Sequence, residues 1–241
     1  MNEKIFFISD IHFGLLSREE EIKRERLFVR FLQFAGKEAK ALYILGDLFD
    51  YWFEYNRVIQ KGFFRTLTAM QDLAEQGVEI HYLIGNHDFL HKDFFEKEIG
   101  AVLYKDPISV ELNGKKFFLG HGDGLVKNDL GYKILKKVLR SKITQKLYSL
   151  LHPDLGIWLA SSTSKSSRDY TGKKNYGEID GLFEAAAEKI DEGYDYVLFG
   201  HSHNRKFKKY KNGIYINLGT WLEQPCYGKF EGSSFEIIDW N

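Results

Sequence analysis

The chain has 241 residues, 44% hydrophobic and 28% charged, and its 34 basic and 34 acidic side chains cancel. These proportions exclude a disordered chain and suit one large globular domain, while the longest run free of Asp, Glu, Lys and Arg, Asn212 to Leu222, falls short of the ~20 residues of a membrane-spanning helix. One cysteine, Cys226, permits no internal disulfide and excludes a zinc site built from several thiolates.

At the N-terminus only Ile5 to Ser9 separate Lys4 from Asp10, too short an apolar stretch for a secretory signal, so the chain is expected to stay in the cytoplasm. Ile5 to Ile8 reads as a strand buried on both faces, as do Ala41 to Leu45, Ile80 to Ile84, Phe117 to Leu119, Tyr196 to Phe199 and Ile214 to Leu218. Helical spacing fills the intervals: Ile22, Phe28, Phe31, Leu32 and Ala35 form one face, and Val58, Phe63, Leu67, Met70 and Leu73 form another, stopped by Gly77. Asn113-Gly114 predicts a hairpin between Ile108 to Leu112 and Lys115 to Leu119, with antiparallel pairing taking over in the second half. The class is an α/β sandwich.

From Leu130 to Leu151 a long amphipathic pattern interrupts the strand rhythm, with Ile134, Leu135, Val138, Leu139, Ile143 and Leu147 on one side. Loops at Ser161 to Ser167 and Thr171 to Asn175 precede a helix from Ile179 to Ile190. Leu125 to Glu178 is therefore expected to be an inserted helical cap on one domain spanning residues 1–241. The cap is basic. Between Leu125 and Asn175, eleven Lys and Arg face three Asp, which suggests an anionic partner such as phosphate, a lipid headgroup or nucleic acid.

Five short motifs each follow a predicted strand: Asp10-Ile11-His12, Gly46-Asp47-Leu48-Phe49-Asp50, Gly85-Asn86-His87-Asp88, Gly120-His121-Gly122-Asp123 and Gly200-His201-Ser202-His203. In α/β sheets, loops at the carboxyl ends of the strands converge on one crevice, so a shared site is the natural inference. Any one of these motifs occurs readily by chance. Five together would leave many polar side chains desolvated and without counter-charge unless a metal sat among them. Carboxylate, imidazole and amide suit Mn, Fe, Zn or Co. His81, His91 and His152 lie outside every motif and read as surface or packing residues.

These residues resemble the calcineurin-like metallophosphoesterase superfamily, whose blocks read D-x-H, G-D-x-x-D, G-N-H-D or E, G-H and G-H-x-H. The resemblance runs from Asp10 to His203 and implies a four-layer αββα sandwich. It also implies that Asp10, His12 and His203 hold one divalent metal, that Asn86, His121 and His201 hold a second, and that Asp47 bridges both. Two metals ~3.5–4 Å apart would clamp a phosphoryl group and activate water for in-line attack, with no protein nucleophile. By the same resemblance, His87 is a proton donor or phosphate binder oriented by Asp50 rather than a ligand.

Within the superfamily the chain is most similar to the UDP-2,3-diacylglucosamine hydrolases of lipid A synthesis. The similarity rests on Gly46 to Phe49 followed by Trp52, Gly85-Asn86 followed by Asp88-Phe89-Leu90, and His121-Gly122-Asp123 followed by Asp129 and Gly131-Tyr132. That family implies attack of water on the α phosphorus of a nucleotide-sugar lipid, usually with Mn, at the inner-membrane surface. Well-known proteobacterial members carry Glu and Arg where this chain has Asp50 and His87, so the bidentate phosphate grip of that arginine is absent here. Candidate substrate contacts are Asn86, Asp129, Tyr132, Ser164, Lys165 and Arg168. The aromatic cluster Tyr51, Trp52, Phe53 and Tyr55 suits either acyl-chain binding or ordinary core packing. Another phosphodiesterase, a nuclease or a metal-binding scaffold remains an alternative, although no dedicated nucleic-acid module is visible.

Overall fold

The computed structural model describes residues 3–125, 137–139, 141–159 and 178–241. Two sheets stack face to face. The first carries β1 (Lys4–Ile8), β2 (Ala41–Ile44), β3 (Glu79–Leu83) and β4 (Val102–Tyr104) in parallel, then continues on the other side of β1 through β10 (Cys226–Glu231) and β11 (Ser234–Asp239) in antiparallel pairing. The second has the order β5 (Ile108–Leu112), β6 (Lys115–Leu119), β7 (Tyr196–Phe199), β9 (Gly213–Asn217) and β8 (Lys206–Tyr210). The hairpin at Asn113-Gly114 forms with both φ angles positive, 46° and 75°, as a two-residue turn of this type requires. Antiparallel pairing follows at β8–β9, β10–β11 and β1–β10, but β6, β7 and β9 run parallel to one another, because the returns to β7 and β9 pass through a helix and through the edge strand β8.

Alternation along each strand builds the layers. Phe6 and Ile8 face α1 (Arg18–Glu38) and α2 (Phe64–Glu75), joining a cluster with Phe28, Phe31, Leu42, Ile44 and Met70. Ile5 and Phe7 point between the sheets, where Phe7 stacks on Phe117 at 5.9 Å and Leu119, Leu198 and Ile216 close the layer. Val197, Phe199 and Tyr215 face Leu182, Ala186 and Ile190 of the last helix, α4 (Glu178–Asp191), with α3 lying earlier in the chain at Lys142–Tyr148. The result is two sheets flanked by helices, four layers in all.

Local signals account for the helix ends. Ser17 and Glu20 form a reciprocal capping box at the start of α1, and Gly77 follows α2 at φ 89°. α2 begins at Phe64 rather than near Val58, because Gly62 at φ 119° turns the chain immediately before it. The long amphipathic pattern is likewise broken. Ser141 is extended (φ −68°, ψ 141°) and its Oγ accepts from Thr144 N at 3.2 Å, so it caps a separate α3 instead of continuing the helical residues 137–139.

Only part of the cap range falls within the described residues. Tyr148 of α3 packs against Phe53 (4.8 Å between centroids), and Tyr51 Oη donates to Tyr148 Oη at 2.9 Å. The aromatic cluster is therefore split. Trp52 is wholly buried against Phe49 and Phe95 in the core, its Nε1 donating to Glu54, while Tyr51, Phe53 and Tyr55 form the seat of α3.

Candidate metal centre

The carboxyl ends of β1, β2, β3, β6 and β7 meet at one edge of the sandwich. Beyond β1, a ladder continues into the loops: Asp10 N donates to Gly46 O (3.2 Å), His12 N to Asp47 O (3.0 Å) and Phe13 N to Leu48 O (2.9 Å). These contacts force unusual backbone. Among the described residues seven non-glycines have positive φ, and five of them are Asp10, His12, Asp47, His201 and His203. Each such residue costs on the order of 1–3 kcal/mol unless its surroundings over-determine it. The strain brings the side chains inward, and glycines give them room: a β-carbon on Gly85 would overlap the Asp47 carboxylate, and one on Gly46 would stand 2.5 Å from His121 Nδ1.

Three sets of side chains come within range of a common ion: Asp10, His12 and His203; Asp47, His121 and His201; and His12, Asp47 and His87. Asn86 joins the second set through its Oδ1, 2.9 Å from His121 Nε2. Asp47 belongs to two sets, with Oδ2 at 3.2 Å from His121 Nε2 and 3.8 Å from His12 Nε2. His87 Nδ1 lies 3.2 Å from the backbone carbonyl of Asp50 and 3.5 Å from its carboxylate, which is also 3.6 Å from His12 Nδ1. Asp129, Tyr132, Ser164, Lys165 and Arg168 lie outside the described residues.

The donor chemistry fits divalent cations. His121 Nδ1 donates to Leu45 O at 2.8 Å, which leaves Nε2 aimed at two oxygens, Asp47 Oδ2 and Asn86 Oδ1. His12 Nε2 and His203 Nε2 meet head to head at 3.0 Å. The carboxylates of Asp10 and Asp47 are buried, and among the described residues their ion pairs are all with histidines. A neutral lone pair facing oxygen atoms is repulsive, so each gap calls for a proton or a metal ion.

Without metal, protons fill these gaps. Burial disfavours charge on His121, but the neighbouring Asp47 outweighs it and pushes the imidazole up to about 10; His12, buried among Asp10, Asp50 and Asp47, rises to about 9. Burial, with His121 beside it, lowers His201 to about 4 and keeps it neutral. Asp10 and Asp47 are lowered despite burial by the surrounding histidines. Ligation needs neutral imidazoles, so at pH 7.5 metal binding is expected to expel about two protons, falling toward none above pH 10. Calorimetry in two buffers of different ionisation heat checks this, and a binding heat that does not change with buffer would contradict it.

Other buried polar groups brace the loops and were not legible as such. Asp88, inside the third motif, is a tie: its carboxylate accepts from Gly85 N and Leu48 N, both at 2.9 Å, and from Tyr82 Oη, locking the β3 loop to the β2 loop. A sixth loop, after β9, braces the same edge. Asn217 Nδ2 donates to Gly200 O at 2.6 Å, while Thr220 Oγ1 and Trp221 N donate to Asp10 O at 2.9 and 3.1 Å. Its one sequence signal is its place: like the other five, Asn217-Leu218-Gly219-Thr220 directly ends a buried strand. His91 is a packing residue, wedged among Tyr82, Trp52 and Phe95.

The profile of the family described as Calcineurin-like phosphoesterase matches residues 3–205. The chain belongs to that family. The phosphoesterase is 33% identical to a Porphyromonas gingivalis protein named UDP-2,3-diacylglucosamine hydrolase, over 98% of this chain and 97% of that one. A protein of the same name from Pseudomonas fluorescens is 34% identical, covering 97% of this chain and 94% of its own length. One from Haemophilus influenzae is 33% identical over 90% of each. Family and relatives agree that the phosphoesterase is a metal-dependent hydrolase of phosphoesters.

Proposed function

We propose that this phosphoesterase hydrolyses UDP-2,3-diacylglucosamine to UMP and 2,3-diacylglucosamine 1-phosphate. The observation that carries the reading is the similarity at 33% identity, along nearly the whole of both chains, to a relative named for that substrate. In this reading Asp10, His12 and His203 hold one divalent ion, Asn86, His121 and His201 the other, and Asp47 both, with manganese the foremost candidate. Ions held there supply positive charge for the diphosphate and lower the pKa of a water toward neutrality.

The chain's own groups do the rest. Asp47 keeps the two positions together, its Oδ1 accepting from His87 N at 2.9 Å. The Asp50 carbonyl accepts the Nδ1–H hydrogen bond of His87, which orients the ring, and a second proton on Nε2 lets that edge donate to the phosphoryl oxygens or to the leaving group. Water attacking the α phosphorus supplies the new P–O bond of UMP as the bond to the oxygen bridging the two phosphates breaks, and that oxygen leaves with the acylated sugar phosphate.

A membrane-surface location in the cytoplasm belongs to the same proposal. No helix among the described residues is long and apolar enough to cross a membrane. Yet Ile143, Leu147 and Leu150, on and just after α3, are 63–76% exposed, beside Lys146, an arrangement that suits lipid headgroups and acyl chains. Manganese-dependent UMP release from the diacylated nucleotide sugar in anionic vesicles tests both parts. Burying four methylenes is worth ~3 kcal/mol, so the lipid is expected to exceed bis(p-nitrophenyl) phosphate in kcat/KM by roughly a hundredfold or more. Ile143→Glu combined with Leu147→Glu should lower turnover in vesicles and spare the diester. Equal turnover of both substrates by the parent protein would instead indicate a general phosphodiesterase.

A further inference from the structure

The buried face of α1 changes character along its length. Its C-terminal half presents Phe28, Phe31, Leu32 and Ala35, whereas its N-terminal half buries Glu21 and Glu25. Arg24 lies between these carboxylates with its side chain only 12% exposed. Burying a guanidinium costs several kcal/mol unless charge and hydrogen bonds compensate, so three charged side chains on an inward face call for a reason.

Glu25 has its reason in packing. It accepts from Arg65 Nη1 at 3.1 Å and Thr66 N at 3.3 Å, fastening α1 to α2. Glu21 and Arg24 turn instead toward the loop after β1. Glu21 Oε1 accepts from Leu16 N at 2.8 Å and from Arg24 Nη1 at 3.3 Å. Arg24 Nη2 donates to the carbonyl oxygen of Ile11, and the guanidinium lies 5.6 Å from the centroid of the Phe13 ring.

Ile11 is the residue between Asp10 and His12, whose φ angles are 53° and 54°. Both side chains reach the same centre only because the backbone turns through the left-handed region on each side of Ile11. The preceding carbonyl, that of Asp10, is held by Thr220 and Trp221, and the amides of Asp10 and His12 by Gly46 and Asp47. Arg24 supplies the clamp on the remaining side. Its charge also acts on Asp50, whose carboxylate stands 3.6 Å from His12 Nδ1.

We propose that Arg24 is a positioning residue for the ion site at Asp10, His12 and His203: it clamps the Ile11 carbonyl, aimed by Glu21, and so presets two ligands of one divalent cation. The inference rests on Asp10 and His12 being ligands, as in the proposed function, and is independent of the substrate. The place suits a planar fork: Nη1 and Nη2 meet Glu21 and the Ile11 carbonyl separately while the guanidinium lies over Phe13, whereas a lysine would bring both contacts to one nitrogen.

The test is titration of metal-stripped protein with Mn²⁺, free ion being read by electron paramagnetic resonance, alongside thermal melting of the metal-free forms. The parent protein is expected to take up two equivalents. Arg24→Met keeps an apolar stem over Phe13 and removes the donors; it should weaken one equivalent by roughly 10- to 100-fold and leave the other unchanged. Arg24→Lys should recover part of that loss, and Glu21→Gln should weaken the same equivalent more mildly. Parallel weakening of both equivalents would overturn the proposal, since Arg24 would then merely support the fold; so would wild-type binding of both. If Arg24→Met does not fold, Arg24→Lys and Glu21→Gln are judged by the same criterion. A parent protein that binds no Mn²⁺ overturns the ligand reading itself, a failure visible before any variant is made.

Discussion

Asp47→Ala is expected to empty both ion sites together and to lower diester turnover by roughly a thousandfold or more, about 4 kcal/mol of barrier. Asp47 lies in two of the three ligand sets, and its Oδ2 reaches both His121 Nε2 at 3.2 Å and His12 Nε2 at 3.8 Å. Without it the two imidazoles face each other with one buried carboxylate fewer to balance the ions. His12→Ala makes the contrast, since it should weaken chiefly the position shared with Asp10 and His203. Asp47→Asn keeps the shape and the contact with Gly85 while removing the charge, so it separates electrostatics from packing. Metal content per chain, measured beside turnover of bis(p-nitrophenyl) phosphate, is the readout. An alanine variant that retains two ions would end the bridging assignment.

His87→Ala should behave in the opposite way, retaining both ions while turnover falls by roughly 10²- to 10⁴-fold. The reason is position. His87 Nδ1 is engaged by Asp50, so the ring is oriented by a neighbour, and its partly exposed edge is available to substrate. His87→Gln, which keeps a donor, should recover part of the loss, and Asp50→Asn should show a weaker form of the same defect. The structure offers a competing arrangement in which His12, Asp47 and His87 share one ion. Loss of one equivalent of metal in His87→Ala would favour it and reassign His87 from catalyst to ligand.

The sequence by itself determined seven of the eleven strands among the described residues, though not β4, β8, β10 or β11, together with the buried face of α1, the hairpin and the grouping of the five motifs. Those signals are local: an unbroken apolar run along Ile5 to Ile8, apolar spacing along α1, Asn-Gly at a two-residue turn, and a glycine or aspartate within two residues of the end of each strand that leads into a motif. Residues spread from Asp10 to His203 point to one family only as a set, because a shared ion chemistry, not sequence distance, joins them. Tertiary structure alone decided which inward-facing groups serve the site and which serve the frame. Trp52 sits beside a metal motif yet is core, Asp88 sits inside one yet ties two loops, and Asn217 and Thr220 sit in none yet hold the backbone at Asp10 and Gly200. Arg24 gives no sequence signal, since a charged residue on a helix is ordinarily solvated, and it acquires meaning only where the fold lays α1 across the Ile11 carbonyl. The physical reason is common to all of these. Hydrogen bonds of buried polar groups are settled by which strands of two stacked sheets become neighbours, and a one-dimensional pattern records the face a residue occupies, not the partner it meets there.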